Sequence, residues 1–374
     1  MEYKQMAAWD VKPSLLGFGC MRFPTLADGS IDESEAEAMI DAAMQAGVNY
    51  IDTAYPYHNG DSEPLVGRVL KKYPRDSFYL ATKLPIWKAE SPQAARAIFY
   101  DQLERLQTDY FDFYLVHALD AARWQKVLDF DILSFLDQMK AEGKIRHLGF
   151  SFHDEYPVFE QILLYRKWDF CQIQLNYMDT NIQAGLKGYA LAEQQGVPII
   201  VMEPIKGGRL TTLPKDLTAA LHEQNASYSL AAWALRYVAS LPNVAVVLSG
   251  MSSMAQVQDN LHTFTPFVPF SETEFKQIDE LAARLRKQVR NGCTGCEYCM
   301  PCPFGVDIPK NFKIWNEEAM YHDKQASVLL YRDLGDAQAS KCQACGKCET
   351  VCPQHIAIRK DLAALAAYFE QVKA

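Results

Sequence analysis

At 374 residues the chain is too long for one small core and suits a large barrel with an appended domain. Apolar residues make up 49% and charged residues 22%, as in an ordinary globular chain, while a formal net charge of −9 argues against nucleic acid as a partner, since phosphate binding needs a concentrated basic face. No stretch approaches the roughly 20 apolar residues of a membrane span, and MEYKQMAAWDVKPSLLG lacks the apolar run of a signal peptide, so the expectation is a cytoplasmic protein away from membranes.

From about residue 15 to 265, short β-branched or aromatic runs alternate with helical patterns. Strands are predicted at 15–21, 49–54, 78–84, 113–117, 146–151, 170–175, 198–204 and 244–250. Several, such as PIIVMEP and VAVVLSG, are almost wholly apolar, as parallel strands buried on both faces are. Between the first two strands, Ser30-Ile-Asp-Glu33 reads as a capping box for a helix with Ala36, Met39, Ile40, Ala43 and Met44 on one face. Ser91-Pro92 supplies a capping hydroxyl and a first-turn proline to the helix after the third strand. Eight strands alternating with helices predict an α/β fold of the (β/α)₈ TIM-barrel type. No G-x-G-x-x-G follows the first strand, which disfavours a doubly wound dinucleotide fold. A further capping box, Ser271-Glu-Thr-Glu274, starts a helix to about Lys287, and QVRNG follows as a linker. The predicted domains are therefore a barrel over 1–290 and a mainly helical domain over 291–374. No internal repeat is read beyond the β/α alternation.

Only Cys20 and Cys171 precede residue 290, and both read as core thiols; the other eight of the ten cysteines lie in the last 82 positions. Such clustering in a reducing compartment indicates metal binding rather than disulfides. Cys342, Cys345, Cys348 and Cys352-Pro match the C-x₂-C-x₂-C-x₃-C-P signature of bacterial ferredoxins in full. Cys293, Cys296, Cys299 and Cys302-Pro match it with one residue fewer before the last cysteine, and 39 residues separate the runs. Three closely spaced thiolates wrap one cube, and the fourth cysteine, before proline, turns to the other cluster. This predicts two [4Fe–4S] clusters, one on Cys293, Cys296, Cys299 and Cys352, the other on Cys342, Cys345, Cys348 and Cys302. The alternative, two Cys₄ zinc sites, fits poorly, because zinc ribbons pair two C-x₂-C knuckles across a dozen or more residues.

Asp52, Lys83 and His117 fall at the ends of predicted strands 2, 3 and 4, with Tyr57 in the loop after strand 2. Singly, each has a structural explanation; together they gather at the end of a barrel where such enzymes place their chemistry. Reducing a carbonyl requires hydride at carbon and a proton at oxygen. An ammonium beside a phenol stabilises the phenolate, so Lys83 is expected to move Tyr57 down toward the working range as proton donor. Asp52 would orient Lys83, and a neutral His117 would hydrogen-bond the carbonyl oxygen. Trp87 reads either as a pocket wall or as a cap on the barrel. His153, in the loop after strand 5, reads either as a substrate-site residue or as an exposed loop histidine.

These residues resemble the aldo-keto reductase superfamily, whose Asp-Thr-Ala-x-x-Tyr, Thr-Lys and Val-His motifs match Asp52-Thr53-Ala54-x-x-Tyr57, Thr82-Lys83 and Val116-His117. The resemblance continues through Asn59-Gly60, Glu63, Gly149, Ser151, Gln174 to Tyr177, Pro204 to Thr211 and Gly250 to Asn260. It implies the same four catalytic roles and a nicotinamide cofactor, NADP(H) or NAD(H). The implied cofactor contacts are Ser151, Gln174, Met202, Pro204, Gly208, Gly250, Ser252, Gln256 and Asn260. Phe152 stands where the family has an asparagine, Met202 where it has a stacking aromatic residue, and the loop from Gly250 to Gln256 lacks the usual basic residue. Lys206 and Arg209 are further phosphate candidates.

The whole chain resembles the ferredoxin-like branch of that superfamily. Nicotinamides move electron pairs, whereas each cluster moves one electron. Three readings follow: an enzyme that reduces small carbonyls or oxidises alcohols with a nicotinamide and whose clusters relay electrons to a redox partner protein or the substrate; an ordinary reductase with structural or oxygen-sensing clusters; or an electron-transfer or redox-sensing module on a catalytically weakened scaffold.

Overall fold

The computed structural model describes residues 1–6 and 9–372. It divides into two compact units, Met1–Gly207 with Ala231–Ser271, and Gly208–Leu230 with Glu272–Ala374. Among the described residues, no helix is long and apolar enough to cross a membrane.

All eight predicted strands form: β1 (Leu16–Gly19), β2 (Tyr50–Asp52), β3 (Tyr79–Leu84), β4 (Phe111–Leu119), β5 (Ile145–Phe152), β6 (Phe170–Gln174), β7 (Ile199–Met202) and β8 (Val244–Gly250). They pair in sequence order, all parallel, and β1 closes on β8 to complete the TIM barrel. Tyr50, Ala81, Phe113, Leu115, Phe170, Ile200 and Leu248 share a buried core with Trp9, whose ring lies 5.0 Å from that of Phe113. Side chains alternate along a strand, so the residue two positions on faces the same way. Asp52, Lys83 and His117 follow the core residues Tyr50, Ala81 and Leu115 by two. The packing layer thereby sets the direction of the polar groups above it.

Helix starts follow local chemistry, with one correction. Ser91 caps the helix Pro92–Arg105 through the Ala94 N–H, as predicted. The helix Glu33–Gln45 is capped by Asp32, which accepts from the Glu35 N–H, and not by Ser30. The Ser30 hydroxyl instead donates to Asp28 Oδ1 at 2.6 Å, closing the turn before the helix. Both Asp and Ser cap well, and the side chain three residues before an available N–H takes the place.

The second unit is mainly helical. Its helices Ile308–Tyr321, Lys324–Asp333 and Ile358–Val372 bury Phe312, Trp315, Tyr331, Leu362, Leu365 and Phe369, with Tyr331 and Phe369 stacked at 4.4 Å. The two cysteine runs share a backbone conformation as well as a spacing. Residues two after the first cysteine (Gly295, Ala344) and one after the second (Glu297, Gly346) have φ of 73°, 52°, 61° and 81°. Each run then ends in Cys-Pro, a turn closed onto the cysteine carbonyl (Gly305 N–H to Cys302 O, His355 N–H to Cys352 O), and a helix.

Candidate active site and cluster cavities

Lys83 is fully buried, and its ammonium donates to Asp52 Oδ1 at 2.6 Å, the Thr53 carbonyl at 2.8 Å and the Tyr57 hydroxyl at 3.3 Å. Three donors meet three acceptors. Burial works against the Lys83 charge, but Asp52 and Tyr57 outweigh it and hold the amine above its ordinary range. Tyr57 departs from expectation. Burial pushes the phenol upward by more than Lys83 pulls it down, so the hydroxyl stays protonated above its usual value. Lys83 therefore acts chiefly on charge that develops when the proton leaves.

His117 lies with its ring 6.1 Å from that of Tyr57, and Trp87 stands 4.9 Å from it on another side. Burial, followed by Lys83, His153 and Arg123, holds the imidazole well below its ordinary value, so it is neutral as expected. A bulge between Val116 and Leu119 aims it, with Ala118 at φ 52°. The Ala118 N–H donates to Ser151 Oγ at 2.6 Å, and its carbonyl accepts from Arg123 at 2.6 Å. The Arg123 guanidinium also lies 4.6 Å over the Trp87 ring. His153 is exposed in the loop after β5, and desolvation by the surrounding chain, followed by the Arg123 charge, lowers its pKa.

A buried network behind the site was not anticipated. Glu63, fully buried, accepts from Thr82 Oγ1 at 2.6 Å, Gln102 Nε2 at 2.7 Å and Arg105 Nε at 2.9 Å. Gln102 also bonds the Lys83 carbonyl at 3.1 Å, and Arg105 reaches the Gly60 carbonyl. The segment that carries Tyr57 is thus tied to the strand that carries Lys83. His58 and Asn59, with φ of 50° and 55°, make the sharp turn between.

The expected cofactor contacts are only partly gathered. Gln174 and Met202 are register partners at the ends of β6 and β7, and Gly250 pairs with Gly19 across β8 and β1. In the loop after β8, the Ser252 N–H meets Gln256 Oε1 at 2.7 Å and the Ser252 hydroxyl donates to the Arg22 carbonyl at 2.7 Å. A Cβ on Gly250 would lie 2.8 Å from Arg22 Cγ, so the β1 loop brings an exposed basic residue to the loop that lacks its own. Asn260 is buried and donates to Ser249 Oγ at 2.6 Å. Phe152 turns outward into the core against Phe159, 5.2 Å away, so no polar group replaces the family's asparagine. Pro204 and Gly208 lie after β7, Gly208 at φ 96°. Lys206 pairs with Asp179 at 2.6 Å and Arg209 with Glu317 at 2.8 Å, so both phosphate candidates are engaged by carboxylates. Cys20 and Cys171 are fully buried with thiols pushed up by burial, as core thiols.

In the second unit, one cavity is lined by Cys293, Cys296, Cys299 and Cys352. Another is lined by Cys302, Cys342, Cys345 and Cys348 and also by Cys299, which the two cavities share. Cys296 and Cys345 are exposed while the other six cysteines are half-buried. Burial pushes Cys293 and Cys348 up and Cys299 up to about 11, so thiolates there need positive charge from a bound metal. Four soft sulfur donors around each cavity fit an iron–sulfur cube.

A closed barrel with a Tyr–Lys–Asp–His cluster at its mouth defines an oxidoreductase of the carbonyl-reducing type. The profile of the Aldo/keto reductase family matches residues 15–283, and the chain belongs to that family. The 4Fe-4S dicluster domain profile matches residues 292–357. The chain is 27% identical over 308 residues to the NADH-specific methylglyoxal reductase of Escherichia coli, covering 70% of this chain and 91% of that protein. It is 26% identical to the L-galactose dehydrogenase of Arabidopsis thaliana, covering 71% and 88%. A Bacillus halodurans aldo-keto reductase in its holo form superposes with a TM-score of 0.64 at 29% identity, covering 75% of this chain and 96% of that one.

Proposed function

We propose that the protein is a cytoplasmic NAD(P)H-linked reductase of small carbonyl compounds, or in reverse a dehydrogenase of alcohols, in which Tyr57 donates the proton. Its barrel would run to about residue 290, and residues 291–374 would hold two [4Fe–4S] clusters that relay single electrons to a redox partner protein or the substrate. The observation that carries the reading is the buried Lys83 ammonium shared between Asp52 and the Tyr57 hydroxyl. When bound, the reduced nicotinamide supplies hydride and the clusters exchange one electron at a time.

The residues do the rest. Neutral His117 donates a hydrogen bond to the carbonyl oxygen and Tyr57 gives it a proton, while Lys83 stabilises the phenolate that results. Asp52 keeps Lys83 charged and oriented. Gln174 would hold the nicotinamide carboxamide, and Ser252, Gln256 and Arg22 would serve the phosphates. Cys293, Cys296, Cys299 and Cys352 would ligate one cluster, and Cys302, Cys342, Cys345 and Cys348 the other.

Because the Escherichia coli relative is a methylglyoxal reductase, methylglyoxal is the first substrate to try. Tyr57→Phe should lower kcat/KM by about 10²–10⁴-fold, as removal of a general acid does, with nucleotide affinity unchanged. Turnover equal to wild type would sink the proton-donor role. A second reading, an electron-transfer or redox-sensing protein on a weakened barrel, is favoured by one observation: Phe152 is buried where a cofactor ligand is expected. It predicts cluster bleaching by NADPH or NADH without turnover of any carbonyl.

A further inference from the structure

The loops after β6 and β7 are joined by a buried ion pair that neither the motifs nor the family comparison single out. Asp179 is only 2% exposed. Its carboxylate accepts from Lys206 Nζ at 2.6 and 2.7 Å, Gln174 Nε2 at 2.8 Å and Asn176 Nδ2 at 3.0 Å. Asn176, fully buried, fixes the turn by accepting from the Met178 and Asp179 N–H groups and donating to the Glu203 carbonyl. Lys206 supplies the counter-charge that offsets the cost of burying the carboxylate.

An ionised carboxylate can only accept hydrogen bonds. The Gln174 amide can therefore face Asp179 only through its nitrogen, and the direction of the amide is set by that network. Its oxygen points elsewhere and accepts from Gln183 Nε2 at 3.2 Å. A carbonyl oxygen has two acceptor sites, and Gln183 takes one.

We propose that the Asp179–Lys206 pair locks Gln174 as a hydrogen-bond acceptor, so that the site selects a dinucleotide whose pyridine ring carries an N–H donor, the primary carboxamide. The inference rests on the reading of Gln174 as a nicotinamide contact. Asp179 acts through Gln174 and is a positioning residue. An asparagine in its place would offer a donor as well as an acceptor, and the Gln174 amide would lose its fixed direction.

The test compares NADPH and NADH with their 3-acetylpyridine analogues, in which a methyl ketone replaces the carboxamide and the N–H donor is gone. Dissociation constants are measured without carbonyl substrate, by quenching of tryptophan fluorescence. Wild type should prefer the carboxamide by roughly tenfold, the worth of one such hydrogen bond. Asp179→Asn and Gln174→Met should each reduce that preference to about twofold or less. The double variant should match Gln174→Met alone, because the effect passes through one side chain. A preference retained in Asp179→Asn, or losses that add in the double variant, would overturn the proposal while leaving the nucleotide reading intact. If Gln174→Met changes no affinity, the reading of Gln174 falls and takes this proposal with it. Should Asp179→Asn fail to fold by circular dichroism, Asp179→Glu keeps the ion pair and moves the carboxylate by one methylene. The same loss of preference is expected there, and an unchanged preference overturns the idea.

Discussion

The barrel and the cluster-bearing unit hold their functional groups by opposite means. In the barrel, Asp52, Lys83 and His117 each stand one alternation above a packed core residue, and the polar contacts are closed within the protein: Lys83 by the Asp52 carboxylate, the Thr53 carbonyl and the Tyr57 hydroxyl, and Glu63 by Thr82, Gln102 and Arg105. In the second unit, Cys293, Cys299, Cys302, Cys342, Cys348 and Cys352 themselves pack against the apolar core. Their sulfurs line cavities rather than meet one another. A site built from side chains is complete when the chain folds, whereas a site built around a ligand draws part of its stability from what it binds.

The largest expected effect tests that contrast directly. Cys345→Ser should remove about half of the bound iron, read by iron content and by EPR, and lower the melting transition of the second unit by several degrees. The barrel transition should stay where it is. Equal movement of both transitions would erase the distinction.

Acid should act on the barrel more gently. His117 is held well below its ordinary pKa of about 6.5 by burial, so below that pH the unfolded chain takes a proton that the folded one refuses. Stability contributed by the neutral imidazole is full above about 6.5 and declines as pH falls, by up to about 1.4 kcal/mol per pH unit until the folded group titrates. Denaturation by urea at pH 7.0 and 5.5, on wild type and His117→Phe, measures it. An identical pH slope in the two proteins would count against it. Proton donation by Tyr57 should persist up to alkaline pH, since the phenol titrates above its usual value.

The smallest effect concerns the repeat of the two cysteine runs. Glu297 has φ 61° where its counterpart Gly346 has 81°. A non-glycine residue there costs on the order of 1 kcal/mol, so Glu297→Gly should raise the melting point of the second unit by a few degrees. A lower melting point would mean that the side chain matters more than the backbone.

The barrel was legible in the sequence because parallel strands buried on both faces read as apolar runs, and the candidate catalytic set because Asp52, Lys83 and His117 fall near the ends of successive strands with Tyr57 just after the first of them. The cysteine runs were legible because thiol spacing is itself the signature. What escaped were pairings between distant segments. Nothing local joins Glu63 to Arg105, or Asp179 to Lys206, and the role of Arg22 beside the β8 loop appears only when β1 and β8 meet. The upward shift of Tyr57 escaped for a different reason: the sequence shows that Lys83 is near in kind, but the depth of burial belongs to the fold. At Ser30 and Asp32 the sequence offered two good caps two residues apart.

The bulge beside His117 has a bearing on how this protein can change over generations. Ala118 sits at φ 52° with its N–H and carbonyl both engaged. Glycine is at ease there and asparagine or aspartate nearly so, while valine, isoleucine or threonine would be crowded out by their branched Cβ. Substitutions at position 118 should therefore be confined to a short alphabet of small residues, set by backbone angle rather than by chemistry. Drift elsewhere on β4 meets other constraints, but the residue next to the histidine is held to a shape.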